Sequence, residues 1–157
     1  VSQHQAQTII NYDALKKLVK NRVYLMPVLQ GSNSEDYKQH LYDYGNRLSL
    51  GAWVGVGSLS GRKPDTVAGI LQTIHRLRPD LKLHGFGCGK RVLKHWQNRR
   101  YLWSADSSAW SKAAQLEKLR RSCSSNRPTE ASAYSLDINS FQPSTQTELF
   151  LLSEIWC

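Results

Sequence analysis

Asp106 closes the apolar string Tyr101–Asp106, YLWSAD. A carboxylate at the end of a strand can attack a sugar carbon and form a covalent glycosyl ester. Aspartate is also a common helix N-cap, and position alone leaves both duties open. Three other apolar strings end in residues that can meet a ligand. Val23–Gly31 (VYLMPVLQG) ends in Gln30 and Gly31, Ala52–Ser58 (AWVGVGS) in Gly57 and Ser58, and Leu81–Gly87 (LKLHGFG) in His84, Gly85 and Gly87. The Gln30 amide holds both a donor and an acceptor, which suits the edge of a purine, although a strand-end glutamine can equally satisfy loop backbone. Glycines let backbone approach a flat ring closely, or simply make turns. His84 can stack on a base or hydrogen-bond to it; the alternative is a satisfied histidine in the interior.

These residues need elements that bring the string ends together. Apolar residues at Ile10, Leu15, Leu18 and Val19 predict a helix over about 9–20, with Asp13 near its start. Each short apolar string, rich in β-formers, reads as a buried strand. After the first, Ser32 and Glu35 have capping-box spacing ahead of a helix through Tyr37, Leu41 and Tyr44 that stops at Gly45. After the second, Pro64 opens a helix with Val67, Ile70, Leu71, Ile74 and Leu77 on one face. After the third, Val92, Leu93 and Trp96 mark an apolar helix side. After the fourth, Ser107 or Ser108 can cap a helix through Trp110, Ala113 and Ala114 toward Arg121. Strand–helix pairs repeated four times predict an α/β fold with parallel strands, whose ligands gather at the C-terminal strand ends. The serine-rich stretch that follows predicts a flexible tail over 122–157, leaving a (βα)4 unit over 1–121.

The chain of 157 residues is 40% hydrophobic, enough for one compact domain but short of the roughly 250 residues of a complete (βα)8 barrel. Lysine and arginine outnumber acids by 21 to 12, for a formal charge of +9. That field attracts polyanions such as DNA or RNA, and it also fits a merely solvated basic surface. Three widely spaced cysteines, Cys88, Cys123 and Cys157, fit neither a disulfide framework nor a metal clip. No His/Cys spacing matches a zinc site, so neither a metal nor another cofactor is expected. With no apolar run long enough to span a bilayer and no signal-peptide pattern at VSQHQAQ, no membrane partner is expected and the reading is cytoplasmic.

The strings PVLQG, GAWVGVGSLSGR, LHGFG and YLWSADSSAWS, taken together and in this order, resemble the DNA 7-deazaguanine transglycosylases (deoxypurine-in-DNA protein A), relatives of the tRNA-guanine transglycosylases. The resemblance runs from about Leu25 to Ala114. It implies the C-terminal half of a TIM-barrel transglycosylase fold and exchange of guanine in a polynucleotide for a 7-deazaguanine base such as preQ0. In the family's mechanism an aspartate at the position of Asp106 attacks C1′, guanine leaves, and the incoming base displaces the carboxylate. The resemblance further places Gln30 as the glutamine that hydrogen-bonds the base, Gly57 as a glycine whose backbone faces it, and His84 against its face. Gly31, Ser58 and Gly85 border the same site. Arg62 and Lys63 of the SGRK segment become contacts for backbone phosphates. The relatives carry a second acidic group on an earlier strand, and the tRNA enzymes a cysteine-rich zinc site; this chain shows neither.

The expected partners are therefore DNA and a free 7-deazaguanine base, with tRNA as the alternative polynucleotide. A further alternative is an inert remnant that binds nucleic acid through charge alone. Four βα units leave two sheet edges open, so either a homo-oligomer or a missing N-terminal half-barrel is also expected.

Overall fold

The computed structural model describes residues 1–20, 23–109, 111, 112, 115, 116 and 128–141. Helix α1 (Ser2–Val19) leads into β1 (Val28–Leu29) and α2 (Ser34–Tyr44). A 3-10 turn, Gly45–Arg47, then leads to β2 (Trp53–Val56), α3 (Pro64–Leu77) and β3 (Lys82–Gly85). Two short helices, α4 (Lys90–Lys94) and α5 (Trp96–Tyr101), precede β4 (Leu102–Ala105), and α6 spans Pro128–Asn139. The four strands form one all-parallel sheet in the order β1-β2-β3-β4. This is the α/β arrangement of a parallel (βα) half-barrel, with every crossover made by helix.

One face of the sheet carries Leu29, Val54, Val56, Leu83, Leu102 and Ala105, all buried in a core shared with the helices. From α2 come Tyr37, Leu41 and Tyr44, from α3 Val67, Ile70, Leu71 and Ile74, and from α4 Val92 and Leu93. The i, i+3, i+4, i+7 spacing of the α3 set lays one helical stripe on the strands.

Several boundaries differ from the sequence expectations. β1 is two residues long, because Pro27 has no N–H to extend the ladder, although its carbonyl still accepts from Gly55 N at 2.9 Å. The capping box falls on Asn33 and Asp36 rather than Ser32 and Glu35. Asn33 Oδ1 accepts from Asp36 N, and Asp36 Oδ2 accepts from both Asn33 N and Ser32 N. Trp96, expected on an apolar helix side, is exposed, because the helix breaks at His95 and restarts with Trp96 in its first turn. α1 begins well before Ile9, and its one buried residue is Gln5. Of the helix expected after β4, Ala109, Ser111, Lys112, Gln115 and Leu116 are helical, while Trp110, Ala113, Ala114 and Arg121 lie outside the described residues. Part of the stretch expected to be a flexible tail is α6, whose Tyr134 and Ile138 are buried in the core. α6 is tied to α4 by Lys90, which pairs with Asp137 and lies over the Tyr134 ring at 4.7 Å.

Candidate active site

Alternation along the strands sends every second residue to the face opposite the helices. On that inner face a Cβ on Gly57 would lie 3.4 Å from Gln30 Cγ and Val28 Cγ1, and one on Gly55 would lie 2.4 Å from Phe86 Cε2. The bareness of Gly55 thus makes room for the Phe86 ring. That ring stands edge-on to His84 at 4.7 Å, and Lys82 lies over Trp103 at 4.6 Å.

The register between β3 and β4 shifts at Leu83/His84. Leu83 pairs with Leu102, but His84 pairs with Ser104, leaving Trp103 as an extra residue. A bulge of this kind reverses the facing of everything beyond it. Here it turns Ser104 to His84, with Oγ 2.8 Å from Nδ1, and brings the next alternate residue, Asp106, to the His84 side of the sheet.

Asp106 prolongs the ladder by donating its N–H to the Gly85 carbonyl at 3.2 Å. Its Oδ1 accepts from Gly87 N at 2.5 Å, which fastens the carboxylate to the loop after β3. Gly87 sits at φ 68°, in the left-handed region where glycine is at ease, and that turn aims its N–H. Ser107 Oγ accepts from Ala109 N at 3.2 Å, so the helix start has a hydroxyl cap of its own. Asp106 remains exposed.

Burial pushes the His84 pKa below the ordinary imidazole value, the nearby Asp106 charge working weakly against it. The ring is therefore neutral at pH 7. Burial, reinforced by Asp106, pushes the Cys88 thiol up to about 12, so Cys88 offers no thiolate to compete as a nucleophile.

Gln30 stands at the end of β1 with both main-chain groups engaged: its N–H donates to His40 Nδ1 at 3.0 Å, and its carbonyl accepts from Gln5 Nε2 at 2.7 Å. Gly57 is held by Tyr37, whose hydroxyl donates to the Gly57 carbonyl at 2.6 Å. Gly31 packs so tightly on α2 that a Cβ would lie 2.7 Å from Asp36 Cβ. Gly85 faces the helix layer, where a Cβ would lie 2.7 Å from Cys88 Sγ, and its carbonyl is taken by Asp106. Gly85 thus stands behind the inner face, whereas Gln30, Gly57, His84 and Asp106 share it.

Arg62, expected at phosphates, is half-exposed and engaged by the protein's own loops. Its guanidinium donates to the carbonyls of Ser58 (2.5 Å), Ser32 (2.5 Å) and Gly31 (2.7 Å), clamping the loop after β1 to the loop after β2. Lys63 is exposed at the N-cap of α3. Beside the clamp an open cleft of about 330 Å³ lies between the loops after β2, β3 and β4. Ser60, Arg62, Gly87, Arg91, Ser107 and Lys112 contribute to its lining, so two cations missed in the sequence, Arg91 and Lys112, gather with Arg62 in a cleft that Asp106 itself does not line. Gln30, Gly57 and His84 do not line this cleft either; they lie on the inner face of the sheet, where Gly57 is buried and His84 is 3% exposed. Among the described residues no His, Cys, Asp and Glu side chains gather into a metal-binding group, and no helix is long and apolar enough to cross a membrane.

A family model supports the four quoted strings independently: that of DpdA, DeoxyPurine in DNA protein A, matches residues 1–139. The chain belongs to the DpdA family. Membership brings a transglycosylase-type, DNA-modifying role in general terms, and the matched span takes in every candidate site residue as well as α6. No curated protein and no solved structure matches the chain.

Proposed function

We propose that this chain replaces guanine in DNA with a 7-deazaguanine base of the preQ0 type, through a covalent intermediate on Asp106. The observation that carries the reading is the placing of the Asp106 carboxylate, fastened to Gly87 N, on the same sheet face as Gln30, Gly57 and His84. A carboxylate oxygen attacks C1′ of the nucleotide, the C1′–N9 bond breaks, and guanine departs with the electron pair and takes up a proton. The incoming base, losing its own proton, then bonds to C1′ and releases the carboxylate. Gln30 offers its amide to the base edge, the Gly57 backbone lies against the base, and the neutral His84 borders its face, with Gly31 and Ser58 at the margin. The target nucleotide must leave the DNA stack to expose C1′.

Arg91 and Lys112 in the cleft that Gly87 and Ser107 also line, together with the exposed Lys63, are suited to the flanking phosphates. Trp103 of β4 is 38% exposed, and the outer edges of β1 and β4 pair with no further strand among the described residues. A second half-barrel, from another copy of the chain or from a further segment, fits there, and a cytoplasmic setting belongs to the same reading.

Incubation with labelled preQ0 and duplex DNA tests the chemistry. Label enters DNA with the parent chain, and Asp106→Asn abolishes incorporation while leaving the melting temperature within about 3 °C, since the amide oxygen can still accept from Gly87 N. Full incorporation by the asparagine variant refutes the covalent role. Incorporation into tRNA but not DNA moves the substrate to the RNA alternative.

A further inference from the structure

Gln30 lies one residue beyond the last paired position of β1, so no neighbouring strand holds its main chain. Two side chains from two helices take over that duty. Gln5 is 3% exposed, and its Nε2 donates both hydrogens, one to the Gln30 carbonyl at 2.7 Å and the other to the Asp36 carbonyl at 2.8 Å. His40, on α2, is fully buried and accepts the Gln30 N–H at Nδ1. Accepting at Nδ1 puts the proton of the neutral ring on Nε2. That nitrogen has no partner in hydrogen-bond geometry among the described residues; the Gln5 backbone is the smallest of the influences that oppose the burial lowering the ring's pKa.

Burying an imidazole with one nitrogen unpaired is costly, and an apolar residue would fill the same space without that cost. What the imidazole adds is the acceptor for Gln30. Likewise α1 docks through an amide at the place where its apolar stripe would supply a leucine. The Gln30 side chain makes no hydrogen bond among the described residues and packs through Cγ beside Gly57, so a fixed main chain leaves its amide facing the inner side.

We infer that Gln5 and His40 are positioning residues that hold the main chain of Gln30 so that its side-chain amide is presented to the incoming purine. This rests on the proposed base exchange, and the experiment separates the two. In the full chain, Gln5→Leu and His40→Leu should raise KM for the free 7-deazaguanine base about tenfold, with kcat and the KM for DNA changed less than twofold. His40→Asn, which keeps an acceptor close to Nδ1, should restore most of the loss. A merely structural role would instead lower kcat and weaken both substrates together, and would not distinguish asparagine from leucine; that outcome overturns the inference. Two readouts need no activity. Nitrogen NMR of the parent chain at pH 7 should show His40 neutral with the proton on Nε2, and amide hydrogen exchange at Gln30 should quicken at least tenfold in His40→Leu. A proton on Nδ1, or a Gln30 amide unprotected in the parent chain, overturns the positioning role even if base exchange occurs. A parent chain with no incorporation but with this NMR signature and protection sinks the base exchange instead and leaves the main-chain clamp standing.

Discussion

Replacing Arg62 with methionine separates two roles that a sequence cannot distinguish. The guanidinium donates three charge-assisted hydrogen bonds to the carbonyls of Gly31, Ser32 and Ser58. Each such bond is worth about 1.5–3 kcal/mol when well shielded. The clamp is partly exposed, and water reaches the freed carbonyls, so the loss falls well short of the threefold sum, at about 2–4 kcal/mol. For a domain of this size that lowers the melting temperature by roughly 5–12 °C. Lysine carries the charge but not the planar fork, so Arg62→Lys should recover about half. The assay is thermal and urea unfolding of the three proteins, paired with the salt dependence of DNA binding. As a clamp, Arg62 should leave the slope of log K against log salt nearly unchanged; as a phosphate ligand it would lower that slope by about 0.9. Arg62→Met with parental stability and a slope reduced by one contact would refute the clamp.

Burial lowers the pKa of both His40 and His84, so the folded state prefers neutral rings while the unfolded chain takes up protons near pH 6.5. Their contribution is therefore complete above about pH 6.5 and is lost as pH falls from there through the lowered folded values, at no more than about 2.7 kcal/mol per pH unit for the two together. Carboxylates held low by neighbours, such as Asp13 beside Arg47 and Asp137 beside Lys90, lose theirs only in more acid solution, so urea unfolding between pH 7.5 and 5 reports the histidines. His40→Asn should roughly halve the dependence, and a flat profile in the parent would count against neutral buried rings. In the cleft, Arg91→Gln with Lys112→Gln should weaken DNA binding and cut the salt slope by about 1.8, whereas Lys16→Gln with Lys17→Gln on α1 should have a smaller effect. Equal losses from the two pairs would mean diffuse attraction rather than a cleft.

The strand–helix rhythm was legible because its signals are local: Pro64 at the first helical position, Gly45 at a helix end, apolar strings of strand length. The capping box slipped by one because Ser32 and Asn33 are both good caps, and the choice depends on which carboxylate, Glu35 or Asp36, turns back to the loop. α1 was half hidden because Gln5, the residue that anchors it, has no place in an apolar stripe. The strand-end candidates could be named one by one, but not the β4 bulge, which decides that Asp106 rather than its neighbour comes to the side of His84. The destination of Arg62 was equally invisible, since free carbonyls and phosphates attract a guanidinium alike. Arg91 and Lys112 reach one cleft only after two crossovers have been laid down, and no spacing in the chain announces that.

The strand order also bears on how the chain reaches this state. Every paired strand is the next one along the chain, with partners fewer than thirty residues apart. Closing such short loops costs little entropy, and a topology built from them folds faster than one that must join distant segments. As the chain leaves the ribosome, each strand–helix unit can settle on the one before it, so that a growing intermediate exposes a single fresh strand at its advancing end rather than several at once.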